Sequence, residues 1–303
     1  MSIDNYMVDI PMCAYCHEKY IEEAILGIVN QKTNFKYRLI IGDDCSKDGT
    51  RKIIEKYAAL YPDKIQTFFH EKNVGAHENT RILFKACNAK YIALCDGDDY
   101  WTDPYKLQKQ IDVLENNAEV SICFHSVKVI YNDGSRVPEY TGAGQKQLST
   151  FEDLAFANFI NTVSCVFRNN LSLTMPSWFA EHPAGDWTLF LLNAQFGKIY
   201  YIDEPMAVYR ISSSSTWASQ SLLTRFQKMI TMLDIFESKF DSSYRNFFRK
   251  SKSFYYMEIS SIYHKESNKI KEFIYFYKAC KKPNVFNFNF KDAVHKLKEL
   301  VLN

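Results

Sequence analysis

The chain carries YIALCDGDDYW at residues 91–101. The first half, Tyr91 to Cys95, is a short apolar run of the kind that forms a buried strand. The second half places Asp96, Asp98 and Asp99 within four residues, where that strand should end. Two carboxylates about 4 Å apart repel by roughly 4 kcal/mol at a partly buried site. Three at a strand tip therefore ask for protons or a cation. A hard divalent ion with oxygen ligands, of the kind that arrives with phosphate, fits best. A solvated acidic turn is the plain alternative.

Upstream, strand and helix patterns alternate. Val8 to Cys13 predicts a first strand, and Glu18 to Asn30 spaces Ile21, Ala24, Ile25, Ile28 and Val29 along one helical face. Tyr37 to Gly42 predicts a second strand, closed by Asp43 and Asp44. Asp48 is placed to cap a helix that runs towards Tyr61 and stops at Pro62. Ile65 to His70 predicts a third strand, and Asn73 to Lys90 a loop and helix leading into the Tyr91 strand. This alternation implies an α/β, doubly wound parallel sheet. Ligands of such sheets sit beyond the carboxyl ends of the strands. Asp43, Asp44, Asp96, Asp98 and Asp99 all fall at those ends.

Downstream, Thr102-Asp103-Pro104 opens a helix with proline at its first position, and Lys106 to Asn116 continues it. Val120 to Tyr131 predicts a strand, and Arg136 to Ser149 a polar, mobile loop. Asn161 to Arg168 predicts another strand. Gly185-Asp186-Trp187 opens a helix through Phe196 that Gly197 ends. Ile199 to Ile202 and Met206 to Ile211 predict two short strands, with a flexible polar run at Ser212 to Ser215. From Ser221 the pattern turns helical, with Leu222, Phe226, Met229, Ile230, Leu233 and Phe236 on one face. The expected division is a main domain over 1–218 and an α-helical region over 219–303. From Tyr244 to Asp292 there are eleven Lys or Arg against four acids, interleaved with aromatic residues. That segment reads either as an appendage packed on the main domain or as an interfacial surface that meets anionic lipid.

With 303 residues, 47% of them hydrophobic and 24% charged, the chain has room for one main domain and an appendage. A net charge of +2 argues against a nucleic-acid binder with a wholly basic surface. No apolar run reaches about eighteen residues, so no membrane span is expected. Met1 to Asp9 shows neither a basic n-region nor an apolar h-region, so no secretory signal is expected. The eight cysteines, mostly in strand-like segments, read as reduced thiols of a cytoplasmic protein.

Five stretches then resemble a known family, in its order: IPMCAYCHEKYIEEAILGIVNQ (10–31), LIIGDDCSKDGT (39–50), NVGAHENTR (73–81), KYIALCDGDDYW (90–101) and GDWTLFLLNAQFGKIYYIDEPMAVYR (185–210). The chain resembles the family 2 glycosyltransferases of GT-A fold, particularly bacterial enzymes that build surface polysaccharides. Beyond Arg210 no resemblance extends. The resemblance implies a mixed, Rossmann-like sheet with a C-terminal helical appendage. It implies inverting transfer of a sugar from a nucleotide donor, a UDP-sugar, to a glycan or lipid-linked saccharide acceptor. Ala14 and Tyr15 would lie on the base, and Asp43 and Asp44 would accept from its edge. Asp98, with Asp96 or Asp99, would hold Mn²⁺ or Mg²⁺ against the diphosphate. Gly97 and Trp101 would border the donor, Arg81 and Arg210 would face its phosphates, and Asp186 would be the general base. Such a protein would work in the cytoplasm, with peripheral contact at the inner face of the membrane through its basic, aromatic helices. Ala14-Tyr15-Cys16 stands where the family usually has Thr-Tyr-Asn, Gly185-Asp186 where it usually has Glu-Asp, and Thr80-Arg81 where Arg-Asn is common.

Other motifs compete. Cys13-Ala14-Tyr15-Cys16-His17 matches a haem-attachment spacing, which needs export, and a redox pair. Asp44 to Glu55 has the length of a calcium loop, but Arg51 occupies its apolar position. The alternative functional class is a binding or scaffold protein of the same fold that has lost turnover.

Overall fold

The computed structural model describes residues 6–132, 134, 136–170, 176, 178–179, 185–211 and 220–280. The chain divides into two compact units, one of residues 1–151 and 159–213, the other of residues 152–158 and 214–303.

The first unit begins β1 (Val8–Ala14), α1 (Ile21–Val29), β2 (Tyr37–Asp43), α2 (Thr50–Leu60), β3 (Ile65–Phe69), α3 (Ala76–Ala86), β4 (Tyr91–Ala93). It continues through β5 (Tyr100–Trp101), α4 (Lys106–Asn116), β6 (Val120–Tyr131), β7 (Glu139–Tyr140), β8 (Leu148–Ser149), β9 (Val166–Arg168), α6 (Gly185–Ala194) and β10 (Lys198–Ile211), while α5 (Phe151–Phe156), which lies between β8 and β9 in sequence, belongs from Glu152 onward to the second unit. One sheet runs β3-β2-β1-β4-β9-β6-β10-β5. Strands β1 to β4 pair in parallel, while β9 runs antiparallel to both its neighbours, so the sheet is the mixed one expected. The strand order reverses at β1, flanked by β2 and β4, and a crevice opens at such a point.

Apolar runs with little alternation form β1 and β2 because both faces of these strands are covered. The exception inside β1, Asp9, is fully buried and compensated. Its register partner Arg38 donates to it at 3.0 Å and 3.2 Å, and the Asn88 and Ala89 backbone N–H groups donate at 2.7 Å and 2.9 Å. The two short strands expected at 199–202 and 206–211 are one strand, β10, whose pairing to β6 breaks between Ile202 and Ala207. Pro205, which has no N–H to give, lies in that break. The strand expected from Asn161 begins only at Val166, because a 3₁₀ turn at Thr162–Ser164 precedes it. The loop expected at 136–149 contains β7 and β8, paired to β6 and β10. Residues 212–215, expected as a flexible polar run, lie outside the described residues.

Helix α4 buries Lys106 completely; its Nζ donates to Gln110 at 2.7 Å and lies 4.0 Å from the Trp101 ring centroid. Burial pulls its pKa down to about 7 from 10.5. Between those values the folded chain holds fewer protons than the unfolded one, so rising pH stabilises it. Lys106→Met lacks this dependence. Its stability advantage over the parent chain is expected to shrink by about 2 kcal/mol from pH 7 to about pH 9, read from urea melts at each pH.

The second unit is built on α7 (Leu222–Lys239), α8 (Arg245–Lys265) and α9 (Lys269–Cys280). Ser221 caps α7 by accepting from the Thr224 N–H at 3.2 Å. Ile230, Met232, Leu233 and Phe236 are the buried residues of α7, and Leu222, at its start, is exposed. Phe236, Phe240 and Phe248 form an aromatic triangle with centroids 5.6–5.7 Å apart. Buried Lys252 is neutralised by Asp234 at 2.7 Å and by Glu237. Among the described residues no helix is long and apolar enough to cross a membrane.

Candidate active site

A cavity of about 270 Å³ opens at the strand-order reversal. Cys13 reaches it from β1, Thr80 from α3, Asp96 from the turn after β4, Thr162 from the 3₁₀ turn and Asp186 from the start of α6. Two acids far apart in sequence thus face one space.

The Asp96–Asp99 turn is fixed by its backbone. The Gly97 N–H donates to the Cys13 carbonyl at 3.2 Å, and the Asp99 N–H donates to the Asp96 carbonyl at the same distance. Glycine is required at 97 by close approach. A Cβ there would lie 2.6 Å from His17 Nδ1, 2.8 Å from Ile21 Cδ1 and 3.2 Å from the Cys13 oxygen. Gly97→Ala is expected to cost about 1–3 kcal/mol and to displace the turn; a thermal melt and a nucleotide titration check both.

Arg210 clamps the same turn from β10. Its backbone N–H donates to Asp99 Oδ1 at 2.8 Å, and its Nη1 donates to the Asp98 carbonyl at 2.9 Å. Its guanidinium pairs with Glu23 and lies 4.4 Å from the Tyr100 ring and 5.1 Å from that of Tyr20. The three clustered carboxylates therefore stand in three different settings. Asp99 is buried and tied to the Arg210 backbone, Asp96 lines the cavity, and Asp98 is partly exposed.

Burial, then the charges of Asp98 and Asp186, push the Asp96 carboxyl up to about 7. Burial and Asp98 hold Asp99 well above the ordinary carboxylate range. Burial raises Asp186 too, opposed by the Trp187 N–H, which donates to Oδ1 at 2.7 Å, and by the Thr162 hydroxyl at 3.4 Å. This is an acidic pocket short of positive charge. Among the described residues no three His, Cys, Asp or Glu side chains form a ready metal set. The hard oxygens of Asp96 and Asp98 nonetheless suit a divalent cation whose other ligands come from phosphate. Asp99 is the least available, since one of its oxygens already accepts from Arg210.

On the other side of β1, Asp44 accepts from the Val74 N–H at 2.6 Å and the Gly75 N–H at 2.9 Å, and its own N–H donates to the Ala14 carbonyl. It ties the loop before α3 to the ends of β1 and β2. Asp43 is fully buried, with Oδ2 accepting from the Ser46 N–H at 3.4 Å and Oδ1 without a protein partner. Tyr15, which follows Ala14, the register partner of Asp43, is 47% exposed.

Of the sequence candidates, Asp96 and Asp186 line the cavity; Ala14, Tyr15, Asp43, Asp44, Arg81, Gly97, Asp98, Asp99, Trp101 and Arg210 do not. Arg81 pairs with Glu78 across one turn of α3, and its neighbour Thr80 lines the cavity instead. One residue along a helix turns a side chain by about 100°. Trp101 is buried, its Nε1 donating to the Val163 carbonyl at 3.0 Å; Trp187 is likewise buried. Sequence reasoning missed Thr80, Thr162, Glu23 and Tyr20. The apolar spacing of α1 marks its buried face, Ile21, Ala24, Ile25, Ile28 and Val29, and gives no signal for exposed Glu23 or for Tyr20 at its cap.

The profile of the family described as Glycosyl transferase family 2 matches residues 9–215. The chain belongs to that family. A relative from Mycobacterium tuberculosis, the "Uncharacterized protein Rv1520", is 38% identical over 216 residues, which is 70% of this chain and 61% of that protein. The chain thus spans about three fifths of that relative's length. Among solved structures, the mannosyltransferase PcManGT from Pyrobaculum calidifontis, in complex with GDP-Man and Mn²⁺, is similar with a TM-score of 0.63 at 13% identity, over 99% of this chain and 81% of that one. S. aureus TarS 1-349 in complex with UDP-GlcNAc is similar with a TM-score of 0.61 at 14% identity, over 90% and 81%. These likenesses show the fold, a GT-A-type α/β sheet with helices towards the C-terminus.

Proposed function

We propose that this family 2 chain is an inverting, metal-dependent glycosyltransferase that moves the sugar of a UDP-sugar onto a hydroxyl of a glycan or lipid-linked saccharide. The observation that carries this reading is the joint presence of Asp96 and Asp186 on one cavity, close enough for the charge of one to raise the pKa of the other. In the step, the acceptor oxygen bonds to the anomeric carbon from the side opposite the phosphate. The bond from that carbon to the phosphate oxygen breaks, and the hydroxyl proton passes to the Asp186 carboxylate. The Trp187 N–H and the Thr162 hydroxyl orient that carboxylate. Asp43 and Tyr15 receive the base, Asp44 and Ala14 fix the loop beside it, and Gly97 and Arg210 set the shape of the acidic turn. A divalent cation held by Asp98 and Asp96, either Mn²⁺ or Mg²⁺, would stabilise the charge on the leaving nucleoside diphosphate.

The ligands of the two similar structures, UDP-GlcNAc in one and GDP-Man with Mn²⁺ in the other, support a nucleotide-sugar donor and make the base the first thing to test. A panel of UDP- and GDP-sugars is screened by thermal shift with Mn²⁺ and with chelator, and the anomeric configuration of the product is read by NMR. A metal-dependent shift with UDP-sugars and an inverted product are expected. No shift with any nucleotide-sugar, or a retained configuration, would overturn the reading. With a lipid-linked acceptor, the protein would act at the inner face of the membrane.

A further inference from the structure

The cavity that Asp96 and Asp186 share has two ends of different chemistry, and the run of the chain orders them by depth. Strands β1 to β4 are parallel, so α3, which returns between β3 and β4, runs against them. Its lining residues His77, Thr80, Leu83 and Phe84 therefore step down from the carboxyl ends of the strands, over about 10 Å. Helix α6, which ends just before β10, descends likewise from Asp186 to Leu189. Pro11 lies two residues below Cys13, and Leu94 two residues below Asp96. The two carboxylates thus stand at the upper end, Thr80 and Cys13 at the waist, and Pro11, Leu83, Phe84, Leu94 and Leu189 at the floor. No side chain of that floor carries a polar atom.

At the waist no side-chain proton is spare. The Thr80 hydroxyl donates to the Ala76 carbonyl at 2.8 Å. The thiol of Cys13 is then the donor in its 3.4 Å contact with Thr80 Oγ1. The Thr80 oxygen keeps a lone pair with which to accept from a ligand. The space calls for a group that donates at the waist and ends in a methyl below it. A ring hydroxyl would donate to Thr80 and leave the floor dry and empty. The methyl of a 6-deoxy sugar would fill the floor and leave Thr80 without a donor. An ammonium would bring three protons to one lone pair against an apolar wall. An acetamido group gives its N–H to Thr80 and its methyl to the floor, with its carbonyl turned up towards half-buried His77.

We infer that the donor of this enzyme is a nucleotide-linked N-acetylhexosamine, whose acetamido group is read by Thr80 and by the apolar floor beneath it. The inference rests on the proposed function for placing the donor sugar in this cavity.

Calorimetric titration of the full chain in Mn²⁺ compares UDP with UDP-glucose, UDP-glucosamine and UDP-N-acetylglucosamine, and with the galacto forms of each sugar. At least one N-acetyl donor is expected to bind about tenfold or more tighter than its hexose and free-amine counterparts. Leu189→Phe fills the floor, and Thr80→Val removes the accepting oxygen. Each should bring that ratio below about threefold. Affinity for UDP reports that the variant has folded, and if one variant fails this control the other decides. A parent chain that binds UDP but takes hexose and N-acetyl forms alike would overturn the inference. So would variants that bind UDP and keep the parent's ratio, or an equal preference for dTDP-rhamnose over dTDP-glucose, since the floor would then take a ring methyl. UDP binding without the N-acetyl preference removes this inference alone; no binding of UDP or of any of these donors removes the transferase reading, and this inference with it.

Discussion

Asp186→Asn is expected to lower kcat by about 10²–10⁴-fold while the affinity for nucleotide-sugar changes by about twofold or less. The amide keeps the size of the side chain; its oxygen can still accept from the Trp187 N–H, and its NH₂, standing in for the other oxygen, can donate to the Thr162 hydroxyl, so the start of α6 should not move. What it cannot do is take the acceptor proton. The pH profile gives the prediction its sign. Burial raises the Asp186 pKa, so its proton-accepting form is lost at a higher pH than for an exposed aspartate. Activity of the parent chain should therefore fall as pH falls through that raised value, and the residual activity of Asp186→Asn should lack this acid limb. Near-native turnover in the variant would show that another group is the base.

Much of the fold was legible because the chain alternates apolar runs and helical periodicities, each of which has a distinct spacing. Helix α4 and strand β6 lie where the residue pattern put them, and the acids at 43, 44, 96, 98 and 99 do fall at strand ends. Less legible was what long-range hydrogen bonds decide. Nothing in DGDD says which carboxylate turns inward; that is set by the Arg210 N–H, more than a hundred residues away. Nothing in the apolar YW pair says that the indole of Trp101 ends against the Val163 carbonyl rather than open to a ligand. Arg81 and Thr80 differ by one position, and only the seating of α3 on the sheet decides which one sees the cavity. The β7 and β8 pairings were hidden for a related reason, since two-residue strands have no periodicity to read.

The acidic turn makes a second strong prediction, and its two halves have opposite signs. In the free protein Asp98 raises the pKa of both Asp96 and Asp99, so its charge works against the folded turn. Its backbone carbonyl, not its side chain, receives the Arg210 guanidinium, so Asp98→Ala leaves that clamp in place. The apo variant should therefore melt at or above the temperature of the parent. With nucleotide diphosphate and Mn²⁺ the order should reverse. On the proposed reading an aspartate that holds the cation is lost, and the two phosphates would then face Asp96 and Asp186 with less positive charge between them. Metal-dependent affinity for UDP is expected to fall by about 10²-fold or more, and the ligand-induced rise in melting temperature should vanish. Calorimetric titration with and without chelator separates the two terms, since chelator should reduce the parent to the level of the variant. If Asp98→Ala instead melts lower in the apo state and still binds UDP with Mn²⁺, the carboxylate is a structural part of the turn, and the cation must be held by other oxygens.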